Sequence, residues 1–161
     1  MDIVKKIHDD ILKSYGSLES PDFSFVKNIK TCSILESICS LLKEEGLNIK
    51  EVTDINEDVS FVFIIYFEKV PKFVLQKSFV GDYLCWQRIT SERKNTIISS
   101  LVECETEIEK KIFSILDGFS FNILNKEILE LPIEVKFFLS DYASTCLYHA
   151  LFSDMDGLPW D

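Results

Sequence analysis

The sequence predicts an α+β fold: an antiparallel β-meander of about four to five strands, packed with N-terminal and C-terminal α-helices. Three observations predict it. Apolar residues recur at helical spacing over residues 2–15 and 31–45. Residues 47–90 then hold β-branched and aromatic runs separated by very short breaks. Helical spacing returns over 91–117 and 133–152.

The first helix places Ile3, Val4, Ile7, Ile11, Leu12 and Tyr15 on one side, and Gly16 supplies a stop. Ile34, Leu35, Ile38, Leu41 and Leu42 give the second helix its apolar face. Ser33 and Glu36 have capping-box spacing, and Gly46 ends the element. The strand runs are LNIKEVTD, VSFVFIIYFE, KFVLQKSF and DYLCWQRIT. Asn56-Glu57-Asp58, Lys69-Val70-Pro71 and Val80-Gly81 break them. Breaks this short admit hairpins and no helical crossover, so pairing is expected to be antiparallel. Phe61–Phe67 is apolar on both faces and is expected to be a central, mostly enclosed strand. Lys50, Lys72 and Lys77 suit exposed faces or edges of its neighbours.

In the third helix, 91–117, Ile97, Leu101, Cys104, Ile108, Ile112 and Ile115 form the apolar stripe, with Glu103, Glu107, Lys110 and Ser114 opposite. Gly118 closes it. FSFNIL offers a short fifth strand, and Asn125 caps one helical turn. Pro132 suits the start of a last helix, in which Phe138, Tyr142, Cys146 and Ala150 share a face. The expected core contains Ile7, Ile11, Leu35, Ile38, Phe63, Ile65, Leu101, Ile108, Ile112, Phe138 and Cys146.

At 161 residues, 47% hydrophobic and with nine Gly and Pro together, residues 1–161 read as one globular domain with a short acidic C-terminal segment, 153–161. The net charge of -10 disfavours direct contact with nucleic acid and favours basic protein partners. Only Arg88 and Arg93 are arginines among seventeen basic residues. That bias, with abundant Ile, Phe and Asn, suits an AT-rich bacterial or viral genome. No apolar run is long enough for a membrane span. Cys32, Cys39, Cys85, Cys104 and Cys146 make an odd set without a CxxC pair. With no secretory leader in the sequence, they predict reduced thiols and a cytoplasmic location.

Catalytic motifs are absent: the sequence holds no GxSxG, P-loop or GxGxxG. Cys146 and His149 stand one helical turn apart, the spacing of a Cys–His dyad, but a core cysteine beside a boundary histidine is the plainer reading. His8 reads as a helix-flank residue. SDMDGLPWD, Ser153 to Asp161, resembles the start of a calcium loop only superficially. Gly157 comes at the fourth position if Asp154 is the first, and no twelfth-position Glu follows. No metal or other cofactor is expected.

These observations predict a small acidic protein-binding domain, not an enzyme. One concrete form is an immunity-type protein that neutralises a basic, nuclease-like toxin by covering its active site. The alternatives are a hydrolase with a dispersed carboxylate or Cys/His site, and a structural or regulatory subunit of a larger assembly. The expected partner-binding residues are Asp154, Asp156 and Trp160 in the C-terminal segment and Glu103 and Glu107 on the third helix. Folding of Trp160 back onto the domain's own core is the competing expectation for that side chain.

Overall fold

The computed structural model describes residues 2–29, 32–92, 94–136 and 144–161. It is an α+β fold with a central six-stranded sheet. Phe138, expected in the core, Tyr142, expected to share its helical face, and Arg93 lie outside the described residues.

Helix α1, Ile3–Tyr15, begins where the Asp2 carboxylate accepts a hydrogen bond from the Val4 amide at 3.1 Å. Ile7, Ile11 and Tyr15 form its fully buried stripe, and Gly16 ends it in a left-handed conformation at φ 73°. A short helix α2, Ser24–Lys27, follows. In α3, Ser33–Glu44, the expected capping box does not form. Cys32 occupies the N-cap and Ser33 is already the first helical residue, so its hydroxyl is one position too late to serve as the cap. Leu35, Ile38 and Leu42 face the sheet from α3.

Strands β1 (Asn48–Glu51), β2 (Ser60–Phe67), β3 (Val70–Ser78) and β4 (Tyr83–Arg88) form the expected antiparallel meander. β2 lies between β1 and β3, and its Phe61, Phe63, Ile65 and Phe67 point to one core. Its other face, with Val62, Ile64 and Tyr66, is half-buried. The β2–β3 turn is Glu68–Lys69 rather than Lys69-Val70-Pro71, because Phe67 pairs with Val70. Both turn residues have positive φ, 51° and 67°, the backbone that a two-residue hairpin requires. At Gly81, a Cβ would come within 2.6 Å of the Tyr83 ring and 3.1 Å of the Asp10 carboxylate, so this turn needs glycine for the close approach of α1.

The expected helix over 91–117 is replaced by three elements. Strand β5, Thr96–Ile97, pairs with β4; a 3-10 turn spans Leu101–Glu103; and α4 runs from Glu107 to Asp117. Ile97 and Ile98 enter opposite cores, a period of two that a helix cannot produce. Leu101, expected in the core, is 53% exposed. Ile112 and Leu116 of α4 are fully buried, whereas Ile108 is half-buried beside them. Strand β6, Asn122–Ile123, is the expected fifth segment, but it lies parallel to β4, so the sheet is mixed. Asn125 caps α5, Lys126–Leu129, through a 2.9 Å bond from the Ile128 amide.

The expected last helix is mostly absent among the described residues: 133–136 are not helical, and α6 spans only Leu147–Leu151. Pro132 instead makes an antiparallel bridge with Cys146. The Leu147 amide donates to the Leu131 carbonyl at 2.9 Å and the Ile133 amide to the Thr145 carbonyl at 3.2 Å. These cross-chain bonds engage backbone groups that a continuous helix would have paired internally.

β4 separates two cores. Leu84 and Trp86 face α3 and α4; Tyr83 and Cys85 face α1, α6 and the C-terminal segment. No described helix is long and apolar enough to cross a membrane.

Candidate functional site at the 3-10 turn and its cleft

The last residue of β4 organises this region. Arg88 turns its guanidinium toward α4 and grips the Glu109 carboxylate with two parallel bonds, Nε to Oε1 at 2.6 Å and Nη2 to Oε2 at 2.8 Å. Nη2 also donates to the Glu103 carbonyl at 3.0 Å. The second Glu109 oxygen accepts the Glu105 amide at 2.6 Å. Burial alone would raise the Glu109 carboxyl; the bonds from Arg88 and from the Glu105 and Thr106 backbone outweigh it and hold it below its ordinary range. One buried carboxylate therefore ties β4, the 3-10 turn and the start of α4 together.

The turn is also capped from its own sequence. Ser100 and Glu103 form a reciprocal capping box. Glu103 Oε2 accepts the Ser99 amide at 2.6 Å, the Ser100 amide at 2.9 Å and the Ser99 hydroxyl at 3.0 Å. Burial pushes the Glu103 carboxyl up, but these bonds prevail and lower it. At the tip, Val102 is 94% exposed beside the half-exposed Leu101. The flanking Glu105 and Glu107 side chains are 72% and 85% exposed, the first 3.5 Å from Arg88 and the second 3.2 Å from Lys110.

Beside the turn lies a cleft of about 560 Å³, lined by residues 90–92 and 94–97 together with Glu103, Lys126 and Trp160. Asn95 holds its floor: its amide donates to the Pro159 carbonyl at 2.8 Å and its side chain to Gln87 Oε1 at 2.9 Å. Gln87 in turn donates to Gln76 at 2.8 Å, and the Tyr148 hydroxyl reaches the same Gln76 oxygen at 3.2 Å. The Thr90 hydroxyl closes the loop onto the Lys94 carbonyl. Thr90, Ser91, Glu92, Lys94, Asn95 and Lys126 give the cleft a largely polar lining. Its described lining contains neither Cys nor His, so no thiol–imidazole pair faces it.

The five expected site residues fall in different places. Glu103 and Trp160 meet at the cleft. Glu107 is the first residue of α4, capped by Thr106, and no longer shares a helix with Glu103. Trp160 is 7% exposed, packed edge-on against Tyr148 at 5.1 Å, with its indole N–H donating to Glu130 at 2.8 Å. Asp154 is buried, and its amide bonds the Glu57 carbonyl at 2.8 Å. Asp156 is exposed and lines a second pocket with Tyr148 and Pro159. SDMDGLPWD is thus stitched to the fold, with Ser153 bridging Asp58.

Cys146 and His149 do touch, with Sγ 3.3 Å from Nδ1. The imidazole is engaged on both sides: Nδ1 lies 3.1 Å from the Cys146 amide, and Nε2 lies 2.9 Å from the Gly157 carbonyl. Since an amide must donate to Nδ1, Nε2 carries the proton given to Gly157. Both side chains are at most 5% exposed, and burial drives the Cys146 thiol up despite backbone hydrogen bonds that lower it. This is the chemistry of a structural clasp rather than a thiolate nucleophile. His8 is exposed on α1, and all five cysteines are free. Among the described residues no three His, Cys, Asp or Glu side chains are grouped to hold a metal.

The apolar tip, Leu101–Val102, escaped the sequence reading because Leu101 fitted a helical stripe and Val102 lay inside the same expected helix. The S-x-x-E spacing of Ser100 and Glu103 carried the signal of a local turn start. Comparison with known protein families, with curated proteins and with solved structures finds no match to this chain.

Proposed function

We propose that the protein is a small acidic protein-binding domain of the immunity type, which acts in the cytoplasm by covering the active site of a basic, nuclease-like toxin. The observation that carries this reading is the pair of exposed carboxylates, Glu105 and Glu107, on backbone fixed by Arg88, Glu109 and the Thr106 cap. Carboxylates carried on a fixed backbone imitate the field of a phosphate backbone while leaving only their side chains to be ordered on binding. The net charge of -10 extends that field and steers a basic partner toward the domain.

The test is affinity capture from the native source, followed by kinetics with the purified partner. The expected partner is basic, loses its nuclease activity at stoichiometric ratio, and associates more slowly as rising salt shortens the Debye length below its physiological value of about 8 Å. An acidic partner, or an on-rate indifferent to salt, counts against the reading.

A further inference from the structure

The tip of the 3-10 turn places a valine almost wholly in water beside a half-exposed leucine, and the backbone on either side of the tip is held by hydrogen bonds at Ser99, Ser100, Glu103 and Glu105. Solvent exposure of one aliphatic side chain is ordinary; the combination with a closed capping box, the Arg88 bond to the Glu103 carbonyl and the Glu109 bond to the Glu105 amide is not required to hide anything. These bonds hold an apolar projection in one position. Glu105 and Glu107 follow it directly, and the polar cleft opens at its side.

We infer that Leu101 and Val102 form a docking anchor that inserts into an apolar socket of a partner protein, with basic residues around that socket pairing with Glu105 and Glu107. This inference rests on the proposed acidic-binder role and specifies its contact surface. Charge complementarity selects the occupant. A second copy of the chain would bring the same carboxylates against one another, and each copy already repels the other through its charge of -10. A basic socket instead gives the apolar centre and polar rim found where binding energy concentrates.

The probe is a short synthetic peptide with a Leu-Phe centre flanked by arginines, compared with the same peptide carrying glutamine at each arginine. Binding is followed by ¹⁵N amide shifts of the intact protein. The expected shifts map to residues 99–107 and the cleft, and the arginine peptide binds tighter than the glutamine one. Val102→Ser, which leaves the melting temperature unchanged at so exposed a site, weakens binding about tenfold. Glu107→Lys weakens it too, whereas Asp9→Lys on α1, an equal change of charge far along the chain, does not. Shifts centred elsewhere, or unaltered binding by Val102→Ser, overturn the anchor while leaving the acidic-binder role intact. Failure of the arginine peptide to bind at all overturns both. Self-association of the free protein that Val102→Ser abolishes overturns the basic-partner assignment in favour of a second copy.

Discussion

Arg88 and Glu109 lock β4 to α4 through a two-pronged ion pair in which the glutamate is 3% exposed. The pair bears directly on the candidate site, because the same two residues bond the Glu103 carbonyl and the Glu105 amide. Arg88→Ala would leave a buried carboxylate with only backbone donors. It is expected to cost about 3 kcal/mol in urea unfolding, at the low end for a broken buried pair since Arg88 retains some solvent contact. A change below about 1 kcal/mol would show that the pair contributes little to folding.

The pair also sets an acid sensitivity. Glu109 has a folded-state pKa below its ordinary 4.5, so its ionised form favours the fold. That contribution is complete above the unfolded value and disappears as pH falls from about 4.5 through the lower folded value. Glu109→Gln should therefore lower stability at pH 7 and narrow its gap to the parent protein as pH drops below 4.5. A gap independent of pH over that window would assign the loss to packing instead.

The β2–β3 hairpin holds two non-glycine residues, Glu68 and Lys69, at positive φ. An L side chain there costs about 1–2 kcal/mol per residue, and glycine avoids the clash. Lys69→Gly is expected to stabilise the protein by up to about 1 kcal/mol after the added unfolded-state entropy of glycine is subtracted. A lower melting temperature for Lys69→Gly would contradict the turn geometry.

That hairpin shows what a sequence can and cannot reveal. The β-branched and aromatic runs in 47–90 and the short breaks between them made the meander legible, because breaks that short admit only hairpins. The turn itself was misplaced by one residue, since Pro71 is a strong local signal but sits inside β3, beside the register shift at Ile65–Tyr66. The same short-range logic failed over 91–106. Ile97, Leu101 and Cys104 match a helical stripe by spacing, yet Ile97 and Ile98 separate to opposite cores because the chain there is extended and paired with β4. Glu103 and Trp160 were singled out independently, but their meeting at one cleft depends on Asn95 holding Pro159, a contact across more than sixty positions of chain that no local pattern encodes.

Asp58 is held in a crowded acidic turn. Burial raises its carboxyl above the ordinary 3.8, the Asp54 backbone bond works against that, and the Asp54 and Glu57 charges add to it. The sign is opposite to that of Glu109: the neutral form suits the fold, so ionisation costs stability once pH rises past 3.8. Asn keeps an acceptor for the Asp54 amide, which now bonds Asp58 at 2.8 Å. Asp58→Asn is expected to raise the melting temperature at pH 7, with the gain fading below pH 3.8. Destabilisation at neutral pH would mean that the charged carboxylate is needed, for instance by its bridge partner Ser153.

The C-terminal segment offers the sharpest division between fold and function. Trp160 sits against Tyr148 with its N–H on Glu130, so its ring fills space in the core shared by α1 and α6. Trp160→Ala is expected to cost about 3–5 kcal/mol, the range for removing a large aromatic from a packed site. Trp160→Phe keeps a ring against Tyr148 and loses mainly the hydrogen bond and some volume, so its cost should be nearer 1 kcal/mol. Asp156→Asn lies on the exposed part of the segment and should shift the melting curve far less than Trp160→Ala does. Measured beside partner association, these three variants separate the roles. Weaker association for Asp156→Asn with unchanged stability assigns the exposed part of the segment to the interface. Weaker association only where Trp160→Ala has already lowered stability assigns Trp160 to the fold, and an unchanged melting curve for Trp160→Ala would remove the indole from the core altogether.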